Sequence, residues 1–137
     1  MVRSEKGFTM IEILLVVVII GALAAMVVPR LSGRSEQAKI TIARVDIESN
    51  IASALKLYEL DNGTFPTTGQ SLDALLRKPT MSPVPQNWNG PYLEKEPLDP
   101  WGRKYHYQCP GTHNNAFDLY SAGPRENDEK SLIANWK

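Results

Sequence analysis

Few side chains in this sequence stand where they could do chemistry, and Glu12 is the clearest of them. It directly precedes Ile13 to Val28, sixteen consecutive apolar or small residues without a charge. A carboxylate within such a run costs a few kcal/mol at a helix centre and less near its end, and an ionisable group there needs a partner and a purpose. The remaining candidates are weaker. His106 and His113 flank a hairpin, seven residues apart, with no further metal ligand nearby, so both are expected as ordinary strand or surface histidines. Cys109, beside Pro110, has no Cys-x-x-Cys partner and is expected as a buried strand cysteine. As the single cysteine it excludes an internal disulfide and a multi-cysteine zinc cage. Glu126, Asp128 and Glu129 are oxygen donors in the tail, read as solvated surface. Ser32 and Ser82 lie in no nucleophile elbow. Trp88, Trp101 and Trp136 sit in turn-like contexts and are expected to anchor loops to the core rather than to form a carbohydrate platform. No catalytic constellation, metal site or cofactor site emerges, so no enzyme is expected. The 15 basic and 15 acidic side chains cancel, which argues against a nucleic-acid partner.

The elements that must position Glu12 begin with the apolar segment itself. Phe8 to Val28 is 21 residues, a helix of roughly 30 Å and so one bilayer core. Arg3 and Lys6 precede it as the positive flank that stays cytoplasmic. Three readings compete: a secretory signal cut at Ala22-Leu23-Ala24, a plain membrane anchor, and a leader cut before the apolar helix rather than after it. Neither of the first two needs Glu12.

Pro29 predicts a kink or local melting between Gly21 and Pro29, and Ser32-Gly33 a second weak point. Helical spacing then resumes: Ile40, Ala43, Ile47, Ile51, Ala54 and Tyr58, with Leu55, form one apolar stripe suited to docking on a sheet. Asp61-Asn62-Gly63 stops the helix. Thr67 and Gln70 have capping-box spacing ahead of a short helix from Ser71 to Lys78 that buries Leu72, Leu75 and Leu76. Pro91 to Glu94 reads as a short strand. Tyr105 to Cys109 and Phe117 to Ser121 alternate as two strands joined by Pro110 to Asn115. The tail from Gly123 is polar until Ile133 and Trp136. The expected fold class is α+β: one long N-terminal helix, apolar in its first half, packed on a small antiparallel sheet. The expected domains are a leader at 1–7, an apolar helix at 8–29 and a soluble domain at 30–137.

Gly7-Phe8-Thr9-Met10-Ile11-Glu12 resembles the Gly-Phe-Thr-Leu-Ile-Glu processing motif of type IV pilins and type II secretion pseudopilins. Tyr58 to Thr68, Gly90-Pro91-Tyr92-Leu93, Asp99-Pro100-Trp101-Gly102, Phe117 to Gly123 and Asn135-Trp136 are similar to the major pseudopilin branch of that superfamily, so the likeness runs nearly the whole chain. The resemblance implies a type IV pilin-like fold and cleavage by a membrane prepilin peptidase between Gly7 and Phe8, with methylation of the new Phe8 amine. Glu12 then pairs with the Phe8 ammonium of a neighbouring subunit, offsetting the desolvation of both and setting axial register. It further implies a homopolymer assembled with minor pseudopilins and an inner-membrane assembly platform. The precursor would be a single-pass protein of the bacterial inner membrane with a periplasmic C-terminal domain, and the product a periplasmic pseudopilus that drives export of folded proteins. A surface pilus for adhesion, motility or DNA uptake, and a membrane-tethered binding domain, are the alternatives.

The sequence departs from the family in its tail. Major pseudopilins usually bind calcium through a Gly-Ala-Asp-Gly stretch and a later Ala-Asp pair. Here Arg125 stands at the first Asp and Leu132 at the second. Calcium takes six to eight oxygens, and a cation in that position repels it. The calcium site is therefore expected to be lost, with Arg125 bridging to a nearby carboxylate; Glu126, Asp128 and Glu129 remain as alternative donors.

Charge bookkeeping isolates Glu12 further. The leader holds Arg3, Lys6 and Glu5, so its removal leaves 13 basic and 14 acidic side chains. Residues 30–137 carry 13 of each, and the one unbalanced carboxylate is Glu12.

Overall fold

A computed structural model describes residues 6–137, so Arg3 lies outside the described residues. The chain divides into two compact units, Met1–Gln37 and Ala38–Lys137. Helix α1, Met10–Val45, starts in the first unit and continues into the second. Pro29 and Ser32-Gly33 lie inside it, and no break occurs at either. The single chain is thus continuous helix at the point where the sequence predicts a kink or local melting. Pro29 removes one backbone donor, the bond that would reach Ala25, but the flanking turns are long enough to carry that single loss. The Ser32 hydroxyl donates to the Val28 carbonyl at 3.2 Å, an i−4 back-bond of the kind that bends a helix without breaking it.

In the second unit the helix passes through a π turn at Asp46–Asn50 and continues as α2, Ile51–Asn62. Nothing in the residue pattern announces this turn, yet it solves a geometric problem. Ala43, Ile47, Ile51 and Leu55 are successive i+4 steps, and in a pure α-helix each step drifts about 40° around the axis. Three such steps drift by about 120°. The extra residue of a π turn unwinds this drift and keeps the stripe on one face. The stripe is buried as the spacing predicts: Ala43, Ile47, Ile51, Ala54, Leu55 and Tyr58 are core residues, with Ile40 packed at its margin. Gly63, at φ +80°, ends α2 by donating its N–H to Glu59 O at 2.7 Å.

Three antiparallel strands, β1 (His106–Gln108), β2 (Asp118–Ser121) and β3 (Ile133–Ala134), form the sheet in that spatial order. Tyr107 pairs with Leu119, and Ser121 with Ile133. Tyr105, Phe117, Leu119 and Ile133 pack with the helical stripe in one core. Phe65 and Phe117 meet edge to face at 5.0 Å. The fold class is as expected, but three details differ.

The capping box of Thr67 and Gln70 closes in both directions, at 3.0 and 3.2 Å. The segment it introduces is only a 3₁₀ turn at Leu72–Leu75, not a helix from Ser71 to Lys78, and Leu76 is half-buried. Gln70 is held instead by the carbonyls of Met81 and Pro83, which draws the chain into a loop. Pro91 to Glu94 is not a strand. Pro91 has no N–H for a ladder, and those of Tyr92 and Leu93 both go to Leu75 O. The tail, to which the sequence assigned no element, contributes β3 where its polar run ends at Ile133. Asn135 extends its pairing by accepting from Leu119 N at 3.0 Å and donating to Phe117 O at 2.9 Å.

Candidate functional site

The candidate site at the N-terminus is a short non-helical lead-in followed by an exposed apolar helix. Gly7, Phe8 and Thr9 precede α1. Thr9 sits at the N-cap position: its hydroxyl accepts from Glu12 N at 3.3 Å, and its carbonyl takes Glu12 N at 3.1 Å. Thr9-Met10-Ile11-Glu12 therefore has the spacing of a capping box, which the sequence reading did not recognise although the signal was present. The cap uses the backbone of Glu12 and leaves its side chain exposed. A Cβ placed on Gly7 meets no atom within 4 Å. The fold therefore does not require glycine there, and any such requirement belongs to whatever binds the Gly7–Phe8 peptide. Phe8, Ile11, Leu14, Val17, Ile20 and Val28 are all more than half exposed. The helix is long and apolar enough to cross a membrane, with its apolar window wholly unburied in this chain. The structure thus places Glu12 at the head of an uncovered apolar rod, with Gly7 and Phe8 in non-helical backbone just ahead of it.

The second candidate region is the loop from Gly123 to Ser131, where the resemblance implies calcium. Arg103, which the sequence reading did not single out, reaches it from the Asp99–Arg103 turn. Its Nη2 donates to the Gly123 carbonyl, Nε lies 3.6 Å from Asp99 Oδ2, and Nη1 lies 3.9 Å from Glu126. The guanidinium also stands over the Trp101 ring at 5.9 Å. Asp99 is buried and accepts from Trp101 N, Arg103 N and, at 2.7 Å, Ser121 Oγ. Arg125 pairs with Asp128 at 3.6 Å, which is the carboxylate bridge expected of it. Leu132 is half-buried between the 3₁₀ turn Glu129–Ser131 and β3. The Ser131 hydroxyl lies 2.8, 2.6 and 2.9 Å from the carbonyls of Ala122, Arg125 and Asp128. Gly123, at φ +75°, brings its backbone so close that a Cβ would stand 2.0 Å from Ser131 O. Among the described residues, no cluster of three or more His, Cys, Asp or Glu side chains has metal-binding geometry.

The histidines do not converge. His106 stacks on Tyr120 at 4.6 Å, and His113 stacks on Trp136 at 4.2 Å. Cys109 is half-buried just past β1, with its thiol 3.4 Å from Ala116 O. Alternation places Asp118 on the outer face, but it is buried, because the hairpin loop folds over it. Its carboxylate accepts from the backbone N–H of Thr112, His113 and Asn114, from the Thr112 hydroxyl, and lies 2.9 Å from His113 Nδ1. Burial pushes this carboxyl up, but the His113 ring, the Asn114 and His113 amides and the Thr112 hydroxyl outweigh it and hold Asp118 well below the usual carboxylate range. A depressed folded-state value stabilises above the unfolded value of about 3.9 and is lost as pH falls through the folded one. Thermal melts from pH 6 to pH 2 should therefore show an acid loss of stability that Asp118→Asn flattens; parallel profiles for the two proteins would rule this out.

Comparison with known proteins agrees with this geometry. The family described as type II secretion system protein G matches residues 30–136, and the prokaryotic N-terminal methylation motif matches residues 2–28. The chain is 52% identical to the type II secretion system core protein G of Pseudomonas aeruginosa, covering 98% of this chain and 96% of that protein. It is 45% identical to the core protein G of Escherichia coli K12, covering 97% and 92% respectively. Among solved structures it resembles the major pseudopilin of the type 2 secretion system of enterohaemorrhagic E. coli, with a TM-score of 0.68 and 38% identity over 77% of this chain and 89% of that one.

Proposed function

This chain belongs to the type II secretion system protein G family, and from that premise we propose how its own residues carry the role of a major pseudopilin. It is the major structural subunit of the pseudopilus. The observation that supports assembly through the N-terminal helix is the apolar rod from Phe8 to Val28, exposed along its length in the single chain. Such a surface must be covered by lipid or by copies of itself, and hydrophobic burial drives both. In the precursor the rod spans the bacterial inner membrane, with residues 1–7 inside and the C-terminal domain in the periplasm. A prepilin peptidase cuts the non-helical Gly7–Phe8 bond and methylates Phe8. The new ammonium then meets Glu12 of a neighbour as subunits leave the bilayer and stack. Minor pseudopilins and the inner-membrane assembly platform start and feed the filament, and its growth pushes folded substrates outward. Deleting the protein should abolish exoprotein export and leave twitching motility intact. Loss of twitching with intact export would support a surface pilus instead.

The tail loop is, on this reading, held without calcium. Two guanidinium groups occupy the region, Arg103 against Asp99, Glu126 and Gly123 O, and Arg125 against Asp128. Of the three alternative donors, Glu126 and Asp128 each already lie against a cation. A divalent ion would have to displace both arginines and still lack the carboxylates that Arg125 and Leu132 replace. The melting temperature is expected to stay the same in millimolar Ca²⁺ and in chelator. A fall on chelation, with stoichiometric binding by calorimetry, would overturn this.

A further inference from the structure

We propose that Arg30 and Arg34 form a binding site for the phosphate of an anionic phospholipid in the outer leaflet of the inner membrane, one that fixes the depth of the membrane-held subunit. The inference rests on the reading that Phe8 to Val28 spans the bilayer with the C-terminal domain outside.

Three observations converge on it. The first is placement. Arg30 and Arg34 are the only basic residues between Phe8 and Glu36, and they begin two residues past the apolar segment. Because α1 runs through Pro29 without a break, both are rigidly phased to the membrane segment. They are four residues apart, so they share a face about 6 Å apart along the axis. The second is the surface they share. Arg30 and Arg34 share one exposed face of α1 with Leu23, Met26 and Val27, all on the first compact unit. That face is apolar toward the bilayer core and cationic at its edge, the order of an acyl chain leading to a phosphodiester. Guanidinium is the side chain best suited to that anion, because its fork donates two parallel hydrogen bonds to phosphate oxygens. The third is charge. Basic residues normally collect on the cytoplasmic flank of a span. Here the domain side carries Arg30, Arg34, Lys39 and Arg44 within seventeen residues of Val28, against Arg3 and Lys6 before Phe8. Outer-leaflet lipid phosphate lies at the depth of Arg30 and Arg34, the first two cations past the span, and is the anion within their reach.

The test uses the full-length protein in neutral detergent, titrated with phosphatidylglycerol or phosphatidylcholine and read by native mass spectrometry. Phosphatidylglycerol should be retained at least tenfold more tightly. Arg30→Gln with Arg34→Gln should remove about thirtyfold of its binding, since each basic residue near an anionic surface contributes about fivefold. Arg30→Lys with Arg34→Lys should retain part of the preference. Circular dichroism controls for helix loss in the variants. Millimolar inorganic phosphate should not displace the lipid; displacement would mean that the site reads the free anion and would overturn the assignment to lipid. Equal retention of both lipids by the unmodified protein, or a preference untouched in the double glutamine variant, would overturn the proposal and leave the arginines to neighbouring subunits. Failure of the spanning reading is separately visible: alkaline carbonate would then strip the chain from vesicles of either composition.

Discussion

Glu12→Ala is expected to leave the precursor inserted and cleaved but to lower pseudopilus yield by about tenfold or more. The size follows from what removal does to the partner. On the proposed processing, leader cleavage creates an ammonium on Phe8, and assembly carries that charge into a packed apolar core. A buried ion deprived of its counter-ion costs about 3–5 kcal/mol, and about 1.4 kcal/mol is already tenfold in an equilibrium. The substitution should not disturb the helix, because the Thr9 hydroxyl caps the backbone N–H of Glu12 and not its side chain. That separates an assembly defect from a folding defect. Thr9→Ala, by contrast, removes the cap at a cost of about 1 kcal/mol and should fray the first turn. The measurement is the ratio of cross-linked filament to membrane-held monomer, with the mass of the processed chain as a control. Unchanged filament yield for Glu12→Ala would sink the charge-pairing argument.

Asp99→Ala is expected to destabilise the C-terminal unit by about 3 kcal/mol. The carboxylate is almost fully buried and accepts three hydrogen bonds while facing the Arg103 guanidinium. Removing it strands the Ser121 hydroxyl and leaves Arg103 holding Gly123 O without its buried counter-ion. Loss of one partner of a buried pair sets the scale at about 3–5 kcal/mol, and the lower end applies because the Arg103 side chain is 28% exposed. Asp99→Asn should cost less, since an amide oxygen can still accept the two turn amides. Ser121→Ala should cost about 1 kcal/mol, one hydrogen bond. Denaturant melts of the detergent-solubilised chain should show a lower midpoint with an unchanged slope for Asp99→Ala. A shift below about 1 kcal/mol would remove Asp99 as the anchor of the tail.

The helical parts were legible because their signals are local and periodic. The stripe from Ile40 to Tyr58, the stop at Gly63 and the apolar run after Glu12 each follow from residue spacing alone, and each stands where expected. The hairpin from Tyr105 to Ser121 was legible for the same reason, since alternation has a period of two. The failures are equally specific. Pro29 reads locally as a breaker, yet one lost bond is small beside the bonds on either side of it. Ser71 to Lys78 carries helical spacing, but the bonds from Gln70 to Met81 and Pro83 bend the chain elsewhere. β3 is two residues long and owes its existence to β2 and to the side chain of Asn135, neither of which a window on the tail contains.

Residue order alone sets the apolar rod and the lone carboxylate at its head, with Gly7 and Phe8 just ahead of it. Those depend on residue order along a single helix, where neighbours in sequence are neighbours in space. The resemblance carried by Gly7 to Glu12 and by the later motifs led from there to the family. Only the tertiary structure could decide how the tail is held. Arg103 and Gly123 are twenty residues apart, Asp99 and Ser121 twenty-two, and no spacing rule joins them. Arg125 was visible as a cation in the wrong place for a metal. That a second guanidinium reaches the same loop, facing a buried aspartate and donating to a backbone carbonyl, is a property of the fold, because only folding brings those distant groups within reach.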